Sequence, residues 1–168
     1  MVDTVDAIAE IIPGKGAAGF HLGNSIQNVK SDIAELKEWQ RTGGLSLYEA
    51  IRSTSGWLSN IREIDGGEVL YFGRGMIELH FNAKGILYKI FVTDGYAGVL
   101  WGQIKVGSAL SLVQNQCPLE YDDGDEMHYP VDTSIVSGIG FYAEEAPLDE
   151  APDQIISSIS VHSWSFSK

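Results

Sequence analysis

The feature that most constrains the fold is a match of the chain to itself. Residues 20–30 read Phe-His-Leu-Gly-Asn-Ser-Ile-Gln-Asn-Val-Lys, and residues 104–114 read Ile-Lys-Val-Gly-Ser-Ala-Leu-Ser-Leu-Val-Gln. Gly23 aligns with Gly107, Ile26 with Leu110 and Val29 with Val113. Each segment is an apolar residue, a glycine, a small polar residue and an apolar i, i+3 stripe. Such a pattern describes a chain turning at glycine into a helix, with Asn24, Ser25 and Ser108 as N-cap candidates. Further blocks follow in the same order: residues 64–72 with 121–129, residues 75–81 with 137–142, and residues 86–92 with 155–161. Repetition of several blocks in one order predicts an internally duplicated chain, with copies at about 14–95 and 98–164.

The repeated unit reads as a helix followed by antiparallel strands. Ile26, Val29, Ile33 and Leu36 share a face at helical spacing, which predicts a helix over residues 25–40. A second short helix is expected over 46–53, and strands near 57–64, 68–72, 76–81 and 86–93. Ile77, Leu79 and Phe81 alternate with Glu78 and His80, so that strand has one buried and one wet face. Asn82–Gly85 is a hairpin loop, and Gly85 can supply positive φ. In the second copy the helix stops at Cys117, because Pro118 cannot continue it. A long acidic loop over 143–153 replaces the short turn of the first copy. The expected fold is α+β: two tandem helix-plus-meander repeats packed as one domain over residues 1–168.

Charge divides the chain unevenly. The first 105 residues carry twelve acids and ten bases, whereas residues 106–167 carry eleven acids and no Lys or Arg. A field of that sign disfavours nucleic acid, whose phosphates need cationic side chains, and attracts a basic protein. No apolar run is long enough to span a bilayer, and the acidic start Met1–Asp6 is not a secretory leader. The single cysteine, Cys117, allows no internal disulfide, so a cytoplasmic location is expected.

Motifs for chemistry are few. His21, His80, His128 and His162 form no helical zinc pair, and they read as exposed or sheet-packed histidines. Asp122-Asp123-Gly124-Asp125-Glu126 lacks the ligand spacing of a calcium loop and reads as a hairpin turn with extra acids. Gly14-Lys15-Gly16-Ala17-Ala18-Gly19 matches neither nucleotide-binding glycine motif and reads as a flexible lead-in loop. Cys117 has no basic neighbour in sequence to activate it. No enzyme activity, cofactor or metal is expected. Of Trp39, Trp57, Trp101 and Trp164, several are expected to fill a core between helices and sheet. Tyr121, Tyr129 and Tyr142, lying among the acids, suit either a protein-binding surface or a plain sheet face.

Residues 12–25, Ile-Pro-Gly-Lys-Gly-Ala-Ala-Gly-Phe-His-Leu-Gly-Asn-Ser, resemble the opening of immunity proteins from bacterial contact-dependent growth inhibition and other polymorphic toxin systems. Gly107-Ser108 and Ile139-Gly140-Phe141-Tyr142 extend the resemblance. The Leu-Gly-x-Ser-to-helix element is also similar to small outer-membrane assembly lipoproteins, although no lipobox cysteine stands near the start. The first resemblance implies a cytoplasmic protein that binds and neutralises a cognate toxin domain, often a basic nuclease. Charge then selects Tyr121, Asp122, Asp123, Asp125, Glu126, Tyr142, Glu144, Glu145, Asp149 and Glu150 as the toxin-binding residues. The alternative is a small-ligand or divalent-cation module built on the acidic loops.

Overall fold

A computed structural model describes residues 5–168 of the protein. The acidic start read over residues 1–6 therefore lies, for residues 1–4, outside the described residues. In chain order the elements are β1 (Gly16–Ala17), β2 (Phe20–His21), α1 (Ile26–Ser31), β3 (Leu36–Glu38), α2 (Leu47–Ser53), β4 (Trp57–Ile61), β5 (Glu68–Phe72), β6 (Ile77–Phe81) and β7 (Leu87–Val92). Then come α3 (Ser111–Gln114), β8 (Leu119–Asp122), β9 (Met127–Pro130), β10 (Ile139–Tyr142), β11 (Ser158–His162) and a closing 3-10 turn, η1 (Trp164–Phe166).

This architecture corrects the expected one. Nine strands form one mixed sheet in the order β3-β4-β5-β6-β7-β11-β10-β9-β8, and β1 and β2 form a separate two-stranded ribbon, with Ile12 bridging to Gly16 of β1. The helices hold six, seven and four residues, too little to define two helix-plus-meander repeats. What fuses the strands is the antiparallel join of β11 to β7, with Ile159 opposite Val92 and His162 opposite Lys89.

The expected helix over 25–40 ends at Ser31. Ser25 caps it by accepting from the Gln27 amide, but Asn28, Ser31 and Asp32 are weak helix formers. Leu36–Glu38 gains more as strand β3, which pairs in parallel with Trp57–Ser59. The short helix expected over 46–53 forms over Leu47–Ser53, with Ser46 as its N-cap in a capping box with Glu49. Gly107 takes φ 93, as Gly23 takes φ 92. Ser108 is not the N-cap of α3, however. Its hydroxyl accepts from the Lys105 amide, and α3 starts from Leu110 without a side-chain cap.

One sheet face carries the main core: Leu70, Ile77, Leu79, Phe81, Ile90, Val92, Phe141, Ile159 and Val161. The layer covering it is mostly irregular chain: Ile11, Ala17, Ala18, Phe20, Val29, Leu100, Ile104, Leu110 and Val113. The glycine-rich segment 14–19 belongs to this layer and is not a flexible lead-in. Gly14 at φ 68 packs against Gly138, its amide donating to the Gly138 carbonyl at 2.9 Å. A side chain on Gly138 would collide with the Gly14 backbone, so the missing Cβ of Gly138 permits the close approach, and Gly14 supplies the left-handed φ. None of the four tryptophans enters the fully buried core. Trp57 packs at its margin with Phe20 and Phe72, and Trp164 is 50% exposed. Among the described residues no helix is long and apolar enough to cross a membrane.

Candidate partner-binding face

Among the described residues the second sheet face carries a packed apolar cluster at one end. There α2 and Trp39 pack over Leu58, Val69 and Tyr71. Burial pushes the Tyr71 hydroxyl up to about 12. Beyond β5 the register builds rows of polar and aromatic side chains, because directly opposed residues share a face. One row runs His80–Lys89–His162 across β6, β7 and β11. The next runs Glu78–Phe91–Ser160–Gly140 across β6, β7, β11 and β10.

Within these rows charge and π-systems interleave. Lys89 Nζ lies 5.1 Å from the Phe91 ring centroid, 5.6 Å from Trp164 and 6.0 Å from Tyr88. Burial lowers its pKa, opposed by the charge of Asp125. His80 Nε2 lies 3.0 Å from Glu78, and burial still holds its pKa below the ordinary value. His162 stacks on Trp164 at 4.3 Å and meets Tyr129 edge-on at 5.9 Å. Its Nδ1 lies 3.2 Å from Ser160 Oγ. Burial and the nearby Lys89 ammonium bring its pKa down to about 4, so the ring is neutral at pH 7.

The register divides the residues read from the sequence between the two faces. Asp122 and Tyr142 alternate onto this one, whereas Tyr121 stands opposite His128, in the row of Phe141 and Ile159 on the core face. The loop carrying Glu144 and Glu145 is tied to that same His128. Tyr121, Asp122, Asp123, Asp125, Glu126 and Glu145 surround the β8–β9 hairpin end, where four of these carboxylates raise the Tyr121 pKa after burial. Glu126 occupies a left-handed φ of 61, and its carboxylate accepts from the Tyr142 hydroxyl at 3.1 Å. Asp125 accepts from the Tyr129 hydroxyl at 2.6 Å, while Asp122 is held by the Gly124 amide at 2.8 Å. Glu144 is anchored through its backbone, whose amide donates to Gln154 Oε1 at 3.1 Å. Asp149 and Glu150 stand apart on the turn after β10. The acidic loop 143–153 is ordered from inside. Buried Gln154 donates to the carbonyls of Ala146 and Ala151, and buried His128 donates to Ala146.

Between the hairpin and Trp164 lies a cleft of about 580 Å³, lined by Glu120, Asp122, Asp125, Tyr129, His162 and Trp164, among others. Tyr129 takes its place there because Gly140 has no side chain: a Cβ on Gly140 would lie 2.6 Å from the Tyr129 ring. Sequence reading left Tyr129 open between a binding surface and a plain sheet face, and missed Glu120, His162, Trp164 and Lys89 as site residues. Alternation along β7, β8, β9 and β11 marks the face that Lys89, Glu120, Tyr129 and His162 occupy, but their meeting with Trp164 of η1 depends on strand order. Among the described residues no group of three or more His, Cys, Asp or Glu is arranged to hold a metal ion. Cys117 is buried, and burial followed by Asp132 raises its thiol pKa.

Comparison with known proteins gives little to set beside this geometry. No known protein family matches the chain. No curated protein matches it either. Among solved structures, the uncharacterized protein yfeY from Escherichia coli is similar at a TM-score of 0.48 and 14% identity, over 77% of this chain and 100% of that one.

Proposed function

We propose that the protein is a non-enzymatic binding module that docks a basic protein partner on the acidic end of its open sheet face. The observation that carries this reading is the placement of the acids. Those of the β8–β9 hairpin flank a face on which Tyr129, His162, Trp164 and Phe91 cluster and which, among the described residues, carries no helix from β6 to β8. Aromatic groups supply contact area, and the surrounding field steers a cationic partner and fixes its orientation.

In the form the immunity-protein resemblance implies, the partner is a cognate toxin domain with a basic nuclease cleft. The acidic rim would occupy that cleft in place of substrate phosphates, in the cytoplasm of the protected cell. Asp122, Asp125 and Tyr142 would make the contact from the open face, with Asp123 and Glu126 at the hairpin end, and Tyr121, Glu144, Glu145, Asp149 and Glu150 would extend the acidic field around that end of the sheet.

Calorimetric titration with the toxin domain encoded beside this protein, at low and high salt, tests the reading. The expected result is tight binding that weakens as salt rises. Reversing Asp123, Asp125, Glu144 and Glu145 together should abolish it. Binding that ignores both salt and the four reversals would move the interface elsewhere. Absence of binding would reject the toxin partner.

A further inference from the structure

We propose that the cleft between the β8–β9 hairpin and Trp164 is a socket for a guanidinium group, the side chain of an arginine presented by the partner. The inference rests on the basic-partner reading above and names the group that reading would deliver.

Three observations converge on this cleft. Its walls are aromatic: Tyr129 on one side, with the stacked His162 and Trp164 on another. A planar cation gains from lying against such rings, and Trp164 already lies near a cation of another shape, the Lys89 ammonium at 5.6 Å. Its rim is anionic. Glu120, Asp122 and Asp125 line it and outnumber the single charge of Lys89 nearby.

The third observation is His162. The residue is only 4% exposed and lines the cleft, and its Nδ1 is engaged with Ser160 Oγ. Its Nε2 has no hydrogen-bond partner among the described residues. When Nδ1–H donates to Ser160, Nε2 is left as an acceptor for an incoming N–H. The ring is neutral at pH 7, so it does not repel a cation. A guanidinium answers all three features at once: a flat face for the rings, a fork of donors for carboxylates, and a further N–H for the imidazole. An ammonium satisfies the charge alone.

The test uses the full chain labelled with nitrogen-15 and N-acetyl-arginine amide as the probe. The chain has four tryptophans, and the indole signal missing in Trp164→Phe identifies Trp164. The expected result is a saturable shift of that signal, at least about fivefold weaker in Glu120→Gln/Asp125→Asn. Both variants should keep dispersed spectra, which confirms folding independently of binding. N-acetyl-lysine amide should bind more weakly, and N-acetyl-norleucine amide should leave the signal in place. A linear, non-saturating shift, an equal response to norleucine, or indifference to loss of the carboxylates would overturn the socket. A toxin domain that binds while the arginine probe does not would reject the socket and spare the function. A probe that binds while no toxin does would reject the toxin partner and spare the socket.

Discussion

His128 and Gln154 donate to one acceptor, the carbonyl oxygen of Ala146, at 3.1 and 3.0 Å. Gln154 also donates to Ala151 at 2.9 Å and accepts from the Glu144 amide at 3.1 Å. A side chain only 1% exposed thus holds both limbs of an acidic loop. Replacing it with alanine leaves these backbone groups short of partners. We expect Gln154→Ala to cost about 2–4 kcal/mol. Urea unfolding measures the loss, and limited proteolysis should find new cleavage within 143–153. A variant as stable and as protease-resistant as the parent would show that the loop orders itself.

Gly140 bears on the cleft in a different way. A Cβ there would meet Tyr129 Cε1 at 2.6 Å and Met127 Cε at 3.0 Å. Gly140→Ala should push the Tyr129 ring out, break its 2.6 Å bond to Asp125 and destabilise the protein by about 1–3 kcal/mol. The check is the Tyr129 hydroxyl. Burial and Asp125 now raise its pKa, and a spectrophotometric titration of the variant should show one tyrosine returning toward the ordinary value. An unchanged titration would mean that the ring is not displaced.

Much of the sheet was legible from local pattern. Ile77, Leu79 and Phe81 alternate with Glu78 and His80, and they form β6 with the faces as read. The helix over 25–40 was misread because four apolar residues at helical spacing do not by themselves outweigh weak helix formers at 28, 31 and 32. Nor can the sequence show that Leu36 pairs better with Trp57 than it continues a helix. The acidic end was legible because charge is counted without knowing the fold. The row His80–Lys89–His162 was not, since it unites residues 82 positions apart through strand order. Tandem repetition suggested two packed units, while the pairing of β7 with β11 depends on long-range register that no local motif encodes.

Tyr96 pins the irregular layer to the core. Its hydroxyl donates to the Ala9 carbonyl at 2.5 Å and accepts from the Ala18 amide at 2.9 Å. Tyr96→Phe keeps the packing and strands both backbone groups. The expected loss is about 2 kcal/mol. Hydrogen exchange should localise it: the Ala18 amide should exchange faster, out of proportion to amides of β6 and β7. Uniform acceleration across the sheet would instead indicate that this layer unfolds only with the whole domain.

Self-repulsion follows from the charge distribution. Residues 106–167 hold eleven acids and no Lys or Arg, and their hairpin end brings several carboxylates together. Screening such repulsion should stabilise the fold. Raising sodium chloride from about 10 to 300 mM at pH 7 should lift the melting temperature by roughly 2–5 °C. The quadruple reversal used to test binding should remove most of that dependence. A melting temperature that falls with salt would mean that the ion pairs Lys30–Glu68 and Arg62–Asp65 outweigh the repulsion.

Acid should weaken the protein well before its carboxylates titrate. His80, His128 and His162 all have pKa values lowered by burial, His162 to about 4. In the unfolded chain each binds a proton near the ordinary histidine value of about 6.5. Between that value and the folded one, the unfolded state carries more protons, so stability rises with pH. The contribution is complete above pH 6.5 and drains away as pH falls toward 4. For His162 alone the full loss is about 3 kcal/mol at most. Urea unfolding at pH 7, 6 and 5 should therefore show a steady fall in stability. His162→Phe, which keeps a ring against Trp164 but cannot titrate, should flatten that fall by nearly one proton's worth of slope. An unchanged slope in this variant would show that His162 takes up its proton in the folded protein at the ordinary pH.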